Sequence, residues 1–286
     1  MTQPKSVAPR VPPVAERLAV CSWSLQPADL PDLINKLSGT GIRRVQLALD
    51  PLRESPALWN QLAPSLQAAG ISLVSGMFGC IGEDYSTLES IRLTGGIAPD
   101  ATWRQNLKNI HATVKLAAEL GLELVTFHAG FLPATKGSPE FAKLLGRLMT
   151  VTDIFAKGKI QLALETGQEA APSLASLLRG LDHPGLGVNF DPANMILYGQ
   201  GDPIGALHVL KPWIRQVHIK DARAARVPGA WGEEAVAGTG EVDWRKFFSA
   251  LKQIHFTGNL VIERENGAQR VADIRAARDV VLRFAE

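Results

Sequence analysis

Residues 160–191 read IQLALETGQEAAPSLASLLRGLDHPGLGVNFD, a pattern that indicates the fold. Two apolar runs of strand length, IQLALE at 160–165 and LGVNFD at 186–191, flank a segment of helical length. Such continuously apolar runs indicate strands that are buried on both faces. Each run ends on a carboxylate, Glu165 or Asp191. The stretch therefore predicts a parallel β-α-β unit whose two strands present acidic side chains at the same end of a sheet.

Six further runs of the same kind alternate with amphipathic, helix-like segments, several of which end in glycine. These runs lie at 17–23, 43–49, 71–77, 122–128, 214–220 and 258–263. Eight strands in strict alternation with eight helices favour an α/β fold that closes into a single-domain (β/α)8 TIM barrel. A doubly wound dinucleotide fold is the alternative, but neither GxGxxG nor a Walker-type GxxxxGK[ST] motif is present.

Composition sets mild limits on function. The 286 residues suit one barrel, which commonly needs ~250 residues. A formal net charge of +2 gives no bias toward polyanions, so no nucleic-acid partner is expected. No apolar stretch approaches the ~18 residues of a membrane span, and no secretory signal is evident, so a cytoplasmic protein without a membrane partner is expected. Cys21 and Cys80 form no CxxC pair and are expected to be small buried hydrophobes.

The domain organisation has three features outside the strands. Residues 1–16, rich in proline, are expected to form an extended N-terminal arm, and residues 17–286 the barrel. Long, glycine-rich connections follow strand 3 (78–102) and strand 7 (221–243), and such loops usually cover or line the site of a barrel. Candidate lid residues in these two loops are Tyr85, Trp231 and Glu234.

Four consecutive strands each end on a side chain that can bind a metal: Glu165, Asp191, His218 and Glu263. Their spacing is about one β-α unit per step, so the strand ends are neighbours on one rim of the barrel. Three carboxylates that converge there would raise one another's pKa unless a cation neutralised them. The alternative for each acidic residue alone is a helix cap or a solvated loop contact. Oxygen-rich ligation with one nitrogen predicts one divalent ion, with Mn²⁺ first, Mg²⁺ or Co²⁺ next, and Zn²⁺ less favoured.

At these residues the chain resembles the sugar phosphate isomerase/epimerase-like barrels of the xylose isomerase-like superfamily. The segments NFDPAN (189–194), GDPIGALHVLKPWIRQVHIKD (201–221), GTGEVDW (238–244) and GNLVIE (258–263) follow the order of motifs in that family. The resemblance implies a metal site at Glu165, Asp191, His218 and Glu263 and a small carbohydrate substrate. Relatives often form dimers or tetramers, so the resemblance also implies a possible homo-oligomer.

The resemblance further implies that Glu165 and Glu263 transfer protons next to a substrate carbonyl through an enediolate. Two such bases on opposite faces would invert a carbon centre, whereas one base would favour isomerisation. Many relatives have a histidine three residues after the strand 6 aspartate, where this chain has Asn194. An amide can hydrogen-bond a substrate hydroxyl but cannot act as an acid at neutral pH.

Other strand-end residues are candidates for substrate binding. Glu169 and Arg223 match the family's binding positions only approximately in register. His128, Trp23 and Gln46 end or lie on strands 4, 1 and 2 and are expected to contact the sugar or support the site. Lys220 lies two residues after His218 on the same strand face, and is expected to contact substrate or to pair with Glu263.

Three functions remain open from the sequence. The first is a metal-dependent sugar isomerase or epimerase. The second is a lyase or dehydratase that acts on an inosose or a 3-keto-glycoside by the same enediolate chemistry, and Asn194 keeps this reading open. The third is a non-catalytic sugar- or metal-binding barrel. A phosphodiesterase of the apurinic-site type is disfavoured, because it needs more strand-end histidines than the two present, His128 and His218.

Overall fold

The computed structural model describes residues 12–133, 137–227 and 229–285, and in these residues eight parallel strands close into a barrel. The strands follow one another around the barrel in chain order, and the first pairs with both the second and the last. The predicted (β/α)8 TIM barrel is therefore confirmed.

The barrel strands are β1 Leu18–Cys21, β2 Arg44–Ala48, β3 Ser72–Met77, β4 Leu124–Phe127, β5 Gln161–Glu165, β6 Leu186–Phe190, β7 Ile214–Ile219 and β10 Asn259–Ile262, and the short strands β8 Asp221–Arg223 and β9 Glu233–Ala235 form an antiparallel pair outside the barrel. The helices are α1 Val14–Arg17, α2 Leu30–Thr40, α3 Asp50–Glu54, α4 Leu62–Ala68, α5 Leu88–Thr94, α6 Asp100–Glu119, α7 Pro139–Lys157, α8 Ala171–Leu181, α9 Pro192–Leu197, α10 Pro203–Leu210, α11 Trp244–Gln253 and α12 Arg270–Phe284. Single 3₁₀ turns occupy Ser22–Leu25 and Pro56–Trp59.

All eight predicted barrel strands are present, with bounds that agree within two residues. The two long connections contain more structure than expected, because α5 lies in the first and the β8–β9 hairpin in the second. The predicted N-terminal arm falls mostly on residues 1–11, outside the described residues. Its remaining part includes α1, a single helical turn where an extended segment was expected. No helix in the described parts of the chain is long and apolar enough to cross a membrane.

The main hydrophobic core lies between the outer face of the barrel and the surrounding helices. Phe78, Phe127 and Phe155 stack there, with ring centroids 4.8 and 5.7 Å apart. The inside of the barrel is different, because buried polar side chains span it. Ser75 donates to Gln216 (2.7 Å), and Gln216 donates to Gln46 (2.9 Å). These bonds tie β3, β7 and β2 together directly beneath the C-terminal ends of the strands.

Two glycines allow the connection after β3 to pack closely against the backbone that follows β4. A Cβ on Gly96 would lie 2.0 Å from the backbone carbon of Ala129, and a Cβ on Gly130 would lie 2.5 Å from the Gly95 carbonyl oxygen. Between them, the Ile97 N–H donates to the Ala129 carbonyl (3.0 Å). Both glycines have positive φ, 65° and 94°, which L side chains rarely adopt. This close backbone contact fixes the loop that carries Glu83 over the barrel end.

We expect Gly96→Ala to lower the free energy of unfolding by about 3 kcal/mol or more, because it adds a backbone clash to the cost of a left-handed residue. The matched control is Gly70→Ala. Gly70 has nearly the same φ of 66°, but a Cβ there meets nothing within 4 Å, so we expect a loss of only about 1 kcal/mol. Urea denaturation of both variants measures the difference, and equal losses would show that the loop does not depend on this contact.

Candidate metal centre

The side chains of Glu165, Asp191, His218 and Glu263 meet at the C-terminal end of the barrel. One ligand atom from each lies within 4.8 Å of the others, and all four residues are buried. Glu165 ends β5, Asp191 and Glu263 directly follow β6 and β10, and His218 is the penultimate residue of β7. The convergence follows from the topology, because β5, β6, β7 and β10 are consecutive neighbours in the barrel.

Asp191 uses its two carboxylate oxygens differently. Its Oδ1 accepts the backbone N–H groups of Ala193 (2.7 Å) and Asn194 (2.9 Å) and so caps α9. Its Oδ2 is buried, has no hydrogen-bond partner and lies 3.7 Å from His218 Nδ1. The cap therefore fixes the carboxylate in an orientation that turns one free oxygen toward the other three ligands.

The two ring nitrogens of His218 have different surroundings. Gln46 Oε1 lies 2.8 Å from His218 Nε2, while Nδ1 is buried without a hydrogen-bond partner and faces Glu165 (3.3 Å) and Glu263 (3.5 Å). Two amides contact Nε2, the Gln46 oxygen at 2.8 Å and the Asn189 Nδ2 group at 3.0 Å. The shorter contact is with an acceptor, which favours the ring proton on Nε2, and in the neutral ring Nδ1 then carries the lone pair that a cation can bind. Two orphaned buried atoms, Asp191 Oδ2 and His218 Nδ1, and two further carboxylates fit a divalent cation.

Glu263 and Glu165 are oriented by their own partners. Trp23 Nε1 donates to Glu263 Oε1 (2.8 Å), and Lys220 Nζ donates to Glu263 Oε2 (2.9 Å). Asn194 Nδ2 donates to Glu165 Oε1 (3.0 Å), and Asn194 Oδ1 accepts from Lys220 Nζ (3.2 Å). Asn194 therefore bridges one metal-competent glutamate to the lysine that binds the other. The predicted pairing of Lys220 with Glu263 is present.

Burial and mutual charge set the electrostatics of this group. Burial raises the pKa of Asp191. Burial opposes ionisation of Glu263 too, but Lys220 and His218 outweigh it and hold its pKa well below the usual value. Burial alone would lower the pKa of His218, but its neighbours Cys21, Glu165 and Glu263 outweigh burial and hold that pKa well above its ordinary value. The carboxylates thus draw positive charge into the centre of the site.

Cys21 lies beside the site, 3.7 Å from His218 Nε2. Burial raises the thiol pKa of both Cys21 and Cys80, so neither is ionised at neutral pH. A thiol that stays protonated is a poor metal ligand. The position of Cys21 agrees with its expected role as a small buried residue.

A cavity of about 430 Å³ lies next to the ligands, and its wall includes Trp23 and Asn194, which donate hydrogen bonds to Glu263 and Glu165. Among the predicted binding and lid residues, Trp23, His128, Asn194, Tyr85 and Trp231 line it. His128 Nε2 lies 3.8 Å from Glu165 Oε2, and its buried Nδ1 has no hydrogen-bond partner. The cavity therefore combines aromatic faces with hydrogen-bonding groups, a combination that suits a sugar-like molecule.

Four predicted residues lie elsewhere. Gln46 is fully buried beneath His218 instead of at the cavity wall. Glu169 lines a second cavity, because the turn after β5 directs it toward α8. Arg223 is exposed on β8, where its guanidinium donates to the Thr239 carbonyl (2.6 Å). Glu234 is bound to Arg264 (2.8 Å) and so anchors the β8–β9 hairpin.

Three carboxylates of the cavity wall escaped the sequence interpretation: Asp50, Glu83 and Glu265. Burial raises the pKa of Asp50 and of Glu83. Asp50 carries a readable signal, because it follows the strand-like run 43–49 in the way that Asp191 follows β6. Glu83 carries no such signal in the sequence, because its position depends on the loop that packs through Gly96.

Comparison with known proteins assigns the chain to a protein family. The family model of the xylose isomerase-like TIM barrel matches residues 34–283, and the chain belongs to this family. A solved xylose isomerase domain protein from Planctomyces limnophilus is 29% identical, with a TM-score of 0.85 over 94% of this chain and 98% of that one.

Two curated relatives are dehydratases. The 3-dehydroshikimate dehydratase of Bacillus anthracis is 24% identical over 63% of this chain, and the inosose dehydratase of Geobacillus kaustophilus (strain HTA426) is 27% identical over 58%. The matches span 66% and 46% of those two proteins.

Two more distant structures share the fold. An L-ribulose 3-epimerase has a TM-score of 0.73 at 16% identity, and the match covers 94% of this chain and 94% of the epimerase chain.

 A protein named IOLI, solved with a bound zinc atom, has a TM-score of 0.72 at 14% identity over 94% of this chain and 98% of that one. At such identities the likeness shows the fold alone.

We expect Gln46→Met to weaken binding of Mn²⁺ by about 10- to 100-fold, because it removes the acceptor that fixes the ring proton of His218 on Nε2. Titration calorimetry with Mn²⁺ measures the loss. The matched control is Thr126→Val. This change removes the Thr126 hydroxyl, which accepts from Gln46 Nε2 at 2.9 Å, and leaves the contact between Gln46 and His218 in place. Equal affinities in wild type and Gln46→Met would contradict the orienting role.

Proposed function

We propose that this protein is a divalent-metal-dependent isomerase or epimerase that moves a proton next to the carbonyl of an uncharged, sugar-like substrate through an enediolate. The observation that carries the proposal is the set of four buried ligand atoms within 4.8 Å of one another, two of them without hydrogen-bond partners. The proposed ion is Mn²⁺, with Mg²⁺, Co²⁺ and Zn²⁺ as alternatives.

The two glutamates are suited to proton transfer by their positions. Glu165 on β5 and Glu263 after β10 are separated by two intervening strands, so they approach the centre from different sides. A divalent cation held by Glu165, Asp191, His218 and Glu263 would act as a Lewis acid toward the substrate carbonyl and so acidify the neighbouring C–H. Glu165 or Glu263 then accepts the proton, and the other can return one to the opposite face of the substrate. His128 and Asn194, at the cavity wall, orient the hydroxyl groups.

The charge of the cavity supports an uncharged substrate. Among the described residues that line it, none is arginine or lysine, while Asp50, Glu83 and Glu265 are acidic. Lys220 is near, but its ammonium group already binds Glu263, Glu265 and Asn194. A phosphate or carboxylate on the substrate would therefore meet carboxylates without a free cation to pair with.

A lyase or dehydratase is the second candidate, and it is favoured by the relatives described above. Both of those curated relatives are dehydratases. The first step, proton removal next to a carbonyl, is common to both candidates.

We expect the Mn²⁺-loaded protein in D₂O to introduce deuterium next to the carbonyl of its substrate. NMR of a panel of ketoses, 2-keto-inositol and a 3-keto-glucoside measures this exchange, and the product formed separates an epimerase from a lyase. Glu165→Gln and Glu263→Gln should each lower the exchange rate by at least about 100-fold, because an amide cannot accept the proton.

EDTA provides the control for the metal. We expect it to abolish exchange and, by removing a ligand of the folded state, to lower the melting temperature. Tight Mn²⁺ binding without exchange for any compound would overturn the enzymatic proposal in favour of a non-catalytic barrel.

A further inference from the structure

A second cavity of about 440 Å³ is walled by α7, α8 and the residues that follow β4. Its apolar side chains include Phe131, Leu132, Phe141, Leu145, Leu177 and Leu181. None of its described wall residues belongs to the cavity beside the metal ligands, and the contacting rings of Phe131 and Tyr198, with centroids 5.7 Å apart, separate the two. The volume suits a small organic molecule, so the second cavity is a separate candidate site.

Glu169 contributes a carboxyl group to this largely apolar wall. It makes no hydrogen bond or ion pair in the part of the chain that the structure describes, and burial raises its pKa to about 8. A carboxylate that faces an apolar space without a donor or a cation is costly. An ammonium group on a bound molecule would remove this cost, because it is both a cation and a hydrogen-bond donor.

Arg92 contributes the opposite charge to the same wall. Its guanidinium lies over the ring of Phe131, 5.3 Å from the centroid, and a cation–π contact of this kind orients the group without neutralising it. No described carboxylate, that of Glu169 included, forms an ion pair with Arg92. Arg92 belongs to α5 and Glu169 to the turn before α8, so different elements keep the two charges apart on the wall of one cavity.

Two opposite charges on an apolar wall define the chemistry of a ligand. A molecule with only a carboxylate would leave Glu169 without a cation, and one with only an ammonium group would leave Arg92 without an anion. A zwitterion satisfies both, and the planar guanidinium can bind its carboxylate through two parallel hydrogen bonds. An apolar group on the same molecule would cover the leucine and phenylalanine side chains of the wall.

We propose that the second cavity binds a small zwitterion with an apolar side chain, namely an apolar α-amino acid. Glu169 binds its ammonium group, Arg92 binds its carboxylate, and the apolar wall covers its side chain. The site is separate from the metal centre, so this assignment does not depend on the function proposed above.

Calorimetry on the Mn²⁺-loaded protein tests the assignment with L-phenylalanine and with probes that each lack one of its groups. Phenethylamine lacks the carboxylate, 3-phenylpropionate lacks the ammonium group, and glycine lacks the apolar side chain. We expect L-phenylalanine to bind at least about tenfold more tightly than each of these probes. No binding of L-phenylalanine, or equal affinity for L-phenylalanine and 3-phenylpropionate, would overturn the assignment.

Two variants locate the bound molecule. Glu169→Gln should weaken binding of L-phenylalanine at least about tenfold and leave 3-phenylpropionate unchanged, whereas Arg92→Met should weaken L-phenylalanine as much and leave phenethylamine unchanged. The matched controls, Glu140→Gln and Arg104→Met, remove the same charges at exposed positions outside the cavity wall and should change nothing. Thermal unfolding checks that all four variants fold. An amino acid that chelated Mn²⁺ instead would keep its affinity in Glu169→Gln and Arg92→Met, and that result would overturn the assignment.

Discussion

The repulsion among three buried carboxylates is the constraint on which the rest of the site depends. Glu165, Asp191 and Glu263 are held together because they end neighbouring parallel strands, and the chain cannot separate them without opening the barrel. Lys220 neutralises part of this charge through Glu263, and His218 faces all three carboxylates. We propose that a divalent cation neutralises the remaining charge and binds the two atoms that have no hydrogen-bond partner.

The barrel interior is built to hold these charges in place. Gln46 fixes the ring of His218, Asn194 links Glu165 to Lys220, and the cap of α9 fixes Asp191. Each of these bonds restricts one ligand to a single orientation, so little rearrangement is needed when a cation binds. Polar side chains thus replace apolar packing at the end of the barrel where the site lies.

Much of this architecture was readable in the sequence, because the barrel repeats one simple unit. Apolar runs of strand length predicted all eight strands, and the last residues of four runs predicted the cluster that forms. Gln46 and Glu169 were harder, since a strand-end residue can face the cavity, the barrel interior or a helix, and the direction depends on register and local twist. Glu83 was beyond reach, because a backbone contact between residues distant in sequence sets its position.

The proposed role of these four side chains is to bind a single divalent cation. A crystal of the protein soaked in Mn²⁺, with anomalous diffraction collected at the manganese edge, tests it most directly. We predict one strong anomalous peak within bonding distance of Glu165, Asp191 Oδ2, His218 Nδ1 and Glu263, and its loss in His218→Leu. A peak elsewhere, or none at these residues under saturating Mn²⁺, would contradict the account.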